Sequence, residues 1–230
     1  MSDLWIIAPV YNEEKNLHAF VLEWLDVFRK SVGKDFTFCL LNDGSTDGSA
    51  AILSRLAQSH PEIRVVDKVN SGHGATCLAG YKQALEAGAK WIFQIDSDGQ
   101  CDSAYFEIFW KSRNNGPVHY GRRRAREDGW SRRFISCVFS ILIFFLSTKW
   151  MKDSNVPYRL MRHDALAKAI GRIPRKFRLV NALLTIIQNE RSEIIWYDIP
   201  FRKRPGRQAP INISFFLREA GQFIADYSSW

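Results

Sequence analysis

Four short apolar runs in the first hundred residues, each breaking into a polar turn, constrain the fold of this chain more than any other feature. Leu4 to Val10 reads as a strand closed by Pro9 and the turn Tyr11-Asn12. Asn12 has the chemistry of a helix cap, with Glu13 and Glu14 in the first turn. Leu17, Val21, Trp24, Leu25 and Phe28 then recur at helical spacing. Phe36 to Leu41 is a second strand, and the turn Asn42 to Ser49 opens a helix with Ile52, Leu53 and Leu56 on one face, halted by Pro61. Ile63 to Asp67 is a third strand. Asn70-Ser71-Gly72-His73-Gly74 leads into a third helix that stops at Gly88, and Trp91 begins a fourth strand. Strands that alternate with helices in this rhythm predict an α/β fold whose mostly parallel, doubly wound sheet is flanked by helices.

In such sheets ligands bind just outside the carboxyl ends of the strands, so the turns carry the functional information. The fourth strand runs Trp91-Ile92-Phe93-Gln94-Ile95 straight into Asp96-Ser97-Asp98-Gly99-Gln100. Asp96 and Asp98 are two apart, so on an extended backbone both face one side. Paired hard oxygens suit Mg²⁺ or Mn²⁺, which keep waters and a substrate's phosphates as further ligands, and Gln100 brings one more oxygen alongside. A solvated Asp/Gly turn would carry the same letters. Tyr11-Asn12-Glu13, Asp43-Gly44-Ser45 and Asp96-Ser97-Asp98 on one sheet edge would form a nucleotide pocket in outline. There Tyr11 can lie against a base, Asp43 can accept from a base N–H, and a metal at Asp98 can bridge a diphosphate. Each loop taken alone is also ordinary turn chemistry. Gly72-His73-Gly74 is neither a dinucleotide fingerprint nor a P-loop, because the third glycine and the Gly-Lys-Ser/Thr are missing.

The chain's 230 residues suffice for one substantial core, and 46% hydrophobic content excludes disorder. A net charge of +8 calls for an anionic partner. Cys39, Cys77, Cys101 and Cys137 are scattered without a Cys-x-x-Cys pair, which implies reduced thiols in a cytosolic setting. The N-terminus has no basic segment ahead of its apolar run, so no signal peptide is expected. A basic module for nucleic acid or anionic membrane is the reading from outside enzymology. Carboxylates at three strand ends and the lack of a nucleic-acid motif weigh against it.

Positive charge gathers in the second half: Arg122-Arg123-Arg124-Ala125-Arg126, then Arg132-Arg133. The arginine fork suits bidentate phosphate binding, and a solvated basic loop accounts for part of the run. Arg132, Ser136 and Ser140 fall at i, i+4 and i+8 on an otherwise apolar helix, a polar edge that suggests a phosphate site. Phe134 to Leu146, about thirteen residues, is too short to span a bilayer, which needs about twenty. It reads either as a helix in the membrane interface or as an ordinary core-facing helix. Phe216, Ala220, Phe223, Ile224 and Tyr227 form a second amphipathic stripe, as consistent with packing as with lipid. The chain ends at Trp230 without a transmembrane helix, so the membrane contact expected is peripheral.

Three of these motifs carry a family resemblance. Pro9-Val10-Tyr11-Asn12-Glu13-Glu14, Asn42-Asp43-Gly44-Ser45-Thr46-Asp47 and Asp96-Ser97-Asp98-Gly99-Gln100, in this order, resemble the inverting GT-A glycosyltransferases. The resemblance is to the dolichyl-phosphate mannose synthase and polyprenyl-phosphate sugar transferase group. It implies a GT-A, Rossmann-like sheet in a single domain over 1–230, with a nucleotide-sugar half to about 120 and an acceptor half with amphipathic helices beyond. It also implies that Pro9, Tyr11, Glu13, Asp43 and Asp96 bind the nucleotide sugar, and that Asp96, Asp98 and Gln100 hold Mg²⁺ or Mn²⁺. Gly121-Arg122-Arg123 is similar to the family's Gly-Ser-Arg motif, which gives Arg123, Arg132 and Ser136 to an acceptor phosphate. Arg204, in Phe201-Arg202-Lys203-Arg204-Pro205-Gly206-Arg207, is similar to a late arginine of the family, without its Gly-x-Ser-Lys continuation. Asp153, Tyr158 and Arg159 match an Asp-x-x-Ser-Gly-Phe-Arg segment in which Val156-Pro157 replaces Ser-Gly. Its aspartate would be a base or would merely hold an arginine.

The function expected is therefore metal-dependent, inverting transfer from a nucleoside diphosphate sugar to a polyprenyl phosphate, by a cytoplasmic protein at the inner face of the membrane. Catalytic roles fall to Asp153 and Arg123. Transfer to a saccharide or small-molecule hydroxyl, with Asp153 as base, is the alternative within the class. A nucleotidyltransferase would show a Gly-rich basic loop near the N-terminus, and Pro9 to Glu13 has none.

Overall fold

The computed structural model describes residues 2–123, 153, 155–174, 177–191, 194–202, 221–225 and 227. Its strands are β1 (Leu4–Val10), β2 (Phe36–Asp43), β3 (Ile63–Lys68), β4 (Trp91–Gln94), β5 (Val118–Arg123), β6 (Arg159–Arg162) and β7 (Ile194–Ile199). Between them lie helices α1 (Leu17–Val32), α2 (Ser49–Ser59), α3 (His73–Glu86), α4 (Phe106–Ser112), α5 (His163–Ile170) and α6 (Val180–Arg191). All seven strands form one sheet in the order β3-β2-β1-β4-β6-β5-β7. Every pairing is parallel except those of β6, which runs against both β4 and β5.

Successive side chains of a strand point to opposite faces, and the register shows what each face meets. Phe38, Ile6 and Phe93 align in one row. On their face Phe28 of α1 packs against Phe38 at 5.4 Å and Phe93 at 6.2 Å. Trp24, Phe106 and Tyr158 complete this aromatic cluster, in which each pair adds about 0.5–1.5 kcal/mol beyond its buried area. The next row, Cys39-Ile7-Gln94, faces α3, where a Cβ on Gly80 would stand 3.2 Å from Ile7. α1 packs with α2 and α4, and α3 packs with α5 and α6, so the sheet has a helical layer on each face.

Two local expectations need correction. Pro9 does not close β1: it pairs with Leu41, and β1 continues through Val10. Proline is tolerated there because β4 has already ended beside Ile7, leaving no ladder partner for the missing N–H. Asn12 does not cap α1 either. The helix begins at Leu17, where the Glu13 carbonyl accepts from Asn16 N and Leu17 N, and Glu13 and Glu14 lie before it. Asn12 sits at φ 55, and its Oδ1 accepts from Thr46 N at 2.8 Å.

Cys39, Cys77 and Cys101 are free and buried. In the C-terminal stripe, Phe223 is buried with its ring 5.5 Å from Phe177. Among the described residues no helix is long and apolar enough to cross a membrane. The run Phe134 to Leu146, Arg132, Ser136, Ser140 and Arg204 lie outside the described residues.

Candidate active site

The turns after β1, β2, β3 and β4 meet at one edge of the sheet around a crevice of about 390 Å³. Pro9, Val10, Tyr11 and Glu13 line it from the first turn, Asp43 from the second, and Asp96, Ser97 and Asp98 from the fourth. Asn70, Gly72 and His73, in the turn after β3, supply the remaining wall.

The first two turns are zipped to each other by reciprocal bonds. Asn12 N donates to Ser45 Oγ at 3.1 Å, Glu13 N to Ser49 Oγ at 3.0 Å and Glu14 N to Asp47 Oδ2 at 3.1 Å. In return Glu14 Oε2 accepts from Gly48 N at 2.8 Å. Asp47 Oδ1 accepts from Ser49 N at 3.0 Å, so the helix start of α2 is satisfied from both turns. Asn12, Glu14, Ser45, Asp47 and Ser49 thus shape the loops that place Tyr11, half exposed, and Glu13, buried, in the crevice wall.

Asp43 is a latch between β2 and the turn after β3. Its Oδ1 accepts from Ser71 N at 2.9 Å and from the Lys68 ammonium, and its Oδ2 accepts from Gly72 N at 2.9 Å. Asn70 Nδ2 donates to the Asp43 carbonyl at 2.8 Å. The turn closes so tightly that a Cβ on Gly44, at φ +68, would stand 2.8 Å from Asn70 N, which only glycine avoids. Burial opposes the Asp43 charge, and the Lys68 and backbone bonds outweigh it, holding the carboxyl below its ordinary pKa. A carboxylate has about four acceptor positions, so these three bonds leave one on Oδ2.

Asp96 is held differently. His73 Nε2 lies 2.9 Å from its Oδ1, and Gln94 Nε2 donates to the same oxygen at 3.2 Å. The Cys77 sulfur, 3.8 Å from both ring nitrogens, and then the Asp96 carboxylate raise the His73 pKa well above its ordinary value. Asp98 Oδ1 accepts from Gln100 N at 3.0 Å, which turns the chain at Gly99. Ser97 Oγ donates to the Pro9 carbonyl at 2.7 Å and ties this turn to the first.

Gln100, Arg123 and Asp153 stand outside the crevice lining. Gln100 Nε2 donates to the Arg202 carbonyl at 3.3 Å, and Arg202 N returns a bond to the Gln100 carbonyl at 2.8 Å. The Arg202 guanidinium reaches both oxygens of Glu23, at 2.8 and 2.9 Å, and Asp102 at 2.8 Å. Residues 201–202 are thereby fastened along the loop that follows Asp98. Arg123 makes a bidentate pair with Asp153, both bonds 2.7 Å, and its guanidinium lies 5.7 Å from the Phe201 ring. Burial opposes the Arg123 charge, and Asp153 outweighs it, raising the guanidinium pKa.

The oxygen-rich donor set of Asp96 and Asp98 fits Mg²⁺ or Mn²⁺. Among the described residues no three His, Cys, Asp or Glu side chains could hold a metal by themselves. A cation here would complete its shell with diphosphate oxygens, as Mg²⁺ usually does. Sequence reasoning missed Lys68, Asn70, His73 and Arg202. The signal for the turn after β3 was positional: it joins a strand to a helix, as the other lining turns do.

Comparison with known proteins decides the family. The glycosyl transferase family 2 model matches residues 5–170. This chain belongs to glycosyl transferase family 2. Within the family it is 26% identical over 176 residues to a dolichyl-phosphate beta-glucosyltransferase of Trichomonas vaginalis, covering 70% of this chain and 54% of that protein. It is 30% identical over 171 residues to the undecaprenyl-phosphate 4-deoxy-4-formamido-L-arabinose transferase of Pectobacterium atrosepticum, covering 73% and 51%. The chain spans about half the length of these curated relatives. The fold is that of the GT-A glycosyltransferases. Glucosyl-3-phosphoglycerate synthase of Mycobacterium tuberculosis, solved with Mn²⁺, UDP and glucosyl-3-phosphoglycerate, superposes with TM-score 0.71 at 16% identity, over 99% of this chain and 79% of that one. A mannosyltransferase of Pyrobaculum calidifontis, solved with GDP-Man and Mn²⁺, superposes with TM-score 0.60 at 14% identity, over 98% and 62%.

Proposed function

We propose that this protein transfers a sugar from a nucleoside diphosphate sugar to the phosphate of a polyprenyl phosphate, with inversion at the anomeric carbon and a divalent cation at the donor. The observation that carries the donor half is the single crevice into which the family's three motif loops converge. Tyr11 offers a ring to the base, Asp43 one acceptor position, and Glu13 lines the same wall. Asp96 and Asp98, with Gln100 beside them, would hold Mg²⁺ or Mn²⁺, which supplies positive charge to the leaving diphosphate.

The names of the relatives support the acceptor half, and so does the state of Asp153. Both its oxygens take bonds from Arg123, an arrangement suited to orienting a guanidinium rather than to drawing off a proton. A phosphate monoester needs no base, since it is already ionised near neutral pH. Its oxygen attacks the anomeric carbon, the bond from that carbon to the diphosphate breaks, and the nucleoside diphosphate departs. Arg123, with Arg132, Ser136 and Arg204, is assigned to the acceptor phosphate. The protein then works from the cytoplasm, in peripheral contact with the inner face of the membrane.

Incubation with UDP-, GDP- and dTDP-sugars and undecaprenyl phosphate, with and without Mn²⁺, tests this reading. Metal-dependent formation of a lipid-linked sugar from one donor is expected. If a donor is consumed only with a hydroxyl acceptor, and Asp153→Asn abolishes that transfer, the hydroxyl alternative replaces the lipid one.

A further inference from the structure

Gln94, the last residue of β4, is fully buried in a strand otherwise made of Trp91, Ile92 and Phe93. An amide in an apolar core is destabilising unless its polar atoms are bonded. Both ends of this one are. Oε1 accepts from the Tyr81 hydroxyl of α3 at 3.1 Å, and Nε2 donates to Asp96 Oδ1 at 3.2 Å. The Tyr81 hydroxyl also lies 3.3 Å from Oδ1 of Asn181, a buried residue of α6. From the other side His73 Nε2 meets the same Asp96 oxygen at 2.9 Å. The imidazolium and the tautomer protonated at Nε2 both donate there. Oδ2 of Asp96 has no partner among the described residues, and the side chain keeps 28% of its surface exposed.

We infer that Gln94 and His73 are positioning residues for Asp96: they fix its Oδ1 from two sides so that Oδ2 is left for the cation on the donor diphosphate, and Tyr81 and Asn181 hold Gln94 in place. The torsion that turns a carboxylate is broad, so a lone aspartate at a strand end samples many orientations. Two donors on one oxygen, from α3 and from β4, remove that freedom before a ligand arrives. Groups that orient metal-binding side chains in this way change metal affinity by about 10–100-fold when removed. The cost to the fold explains the choice of residue: leucine at position 94 would pack in the same core without an amide to satisfy.

The inference rests on the metal-dependent donor site proposed above, and calorimetry of the full chain with UDP and GDP, each with and without Mn²⁺, separates the two. Wild-type protein is expected to bind one nucleotide more tightly when Mn²⁺ is present. Gln94→Leu should lose about tenfold or more of that enhancement, while its metal-free nucleotide affinity and its Tm stay at the wild-type level. Tyr81→Phe should lose less. His73→Ala should also lose the enhancement, and His73→Gln, which retains an N–H donor, should recover most of it. Enhancement within twofold of wild type in both Gln94→Leu and His73→Ala overturns the inference. Should Gln94→Leu fail to fold, the half-exposed His73 pair decides alone. No enhancement in the wild-type protein would instead sink the metal-dependent reading itself.

Discussion

At the end of β2, Asp43 is 3% exposed and uses three acceptor positions on Lys68, Ser71 and Gly72. At the end of β4, Asp96 gathers both of its bonds on one oxygen and keeps an open side chain. Both carboxylates line the same crevice, yet the first is pinned through both oxygens and the second takes its hydrogen bonds among the described residues on one oxygen. The difference follows from what surrounds each one. Asp43 has a cation and two backbone N–H groups converging on it, which satisfy a buried charge. Asp96 has donors on one oxygen only, so its other oxygen must find water, a cation or a ligand. Two acidic residues of one crevice therefore differ in kind: Asp43 is spent on holding turns together, and Asp96 keeps an oxygen outside its hydrogen bonds.

The ligand-facing side breaks most sharply at Asp98. Asp98→Ala should reduce the Mn²⁺-dependent gain in nucleotide affinity by about 100-fold or more, since losing a ligand should cost at least as much as losing a group that orients one. Its Tm should move by only a few degrees, as thermal unfolding would show. An unchanged affinity in Mn²⁺ would remove Asp98 from the donor site.

The pin side should answer in stability instead. Asp43→Asn leaves the Lys68 ammonium, mostly buried, without its counter-charge and should destabilise the fold by about 2–3 kcal/mol, below the range for fully buried pairs. For a chain of this size that is a fall in Tm of roughly 5–10 °C. The sign with pH follows from the depressed Asp43 pKa. Its contribution is present above the ordinary carboxylate range and disappears as pH falls through the lower folded value. Wild-type Tm should drop below about pH 4 more steeply than that of Asp43→Asn, whose curve lacks this group. Parallel curves would show that the latch carries no net stability.

The smallest effect is expected at the zip between the first two turns. Ser49→Ala strands the Glu13 N–H in a buried place and should destabilise by about 1–2 kcal/mol, measured by urea unfolding. The ratio of nucleotide affinities with and without Mn²⁺ should stay put in both Asp43→Asn and Ser49→Ala. A changed ratio in either would erase the division between pin and ligand.

Much of this arrangement was legible in the sequence because it rests on local chemistry. The runs Leu4 to Val10 and Trp91 to Ile95 are apolar enough to be strands, and Asp/Gly/Ser turns mark their ends. Three such ends in a parallel sheet must share an edge, which is why Tyr11, Asp43 and Asp96 meet as expected. What stayed hidden depends on distance along the chain. His73 meets Asp96 across 23 positions with no periodicity to link them, and although the resemblance allowed Asp153 to hold an arginine, nothing pointed to Arg123, 30 positions away. Gln94 looked like one more strand residue, because burial alone makes its amide conspicuous. β6 went unread as a strand: its four residues, Arg159 to Arg162, include two arginines and show neither an apolar run nor an alternation.

That reversed strand has a further consequence. β5 ends and β6 begins on the crevice edge, side by side, with Gly121 N bonded to the Tyr158 carbonyl at 2.9 Å. The chain therefore leaves the sheet at Arg123 and returns near Asp153 through neighbouring doorways. A segment joined at two adjacent points can be lengthened, shortened or exchanged at little entropic cost without rethreading any strand. The sheet is thus built so that the length of chain between Arg123 and Asp153 can change while β5, β6 and the turns that line the crevice keep their places.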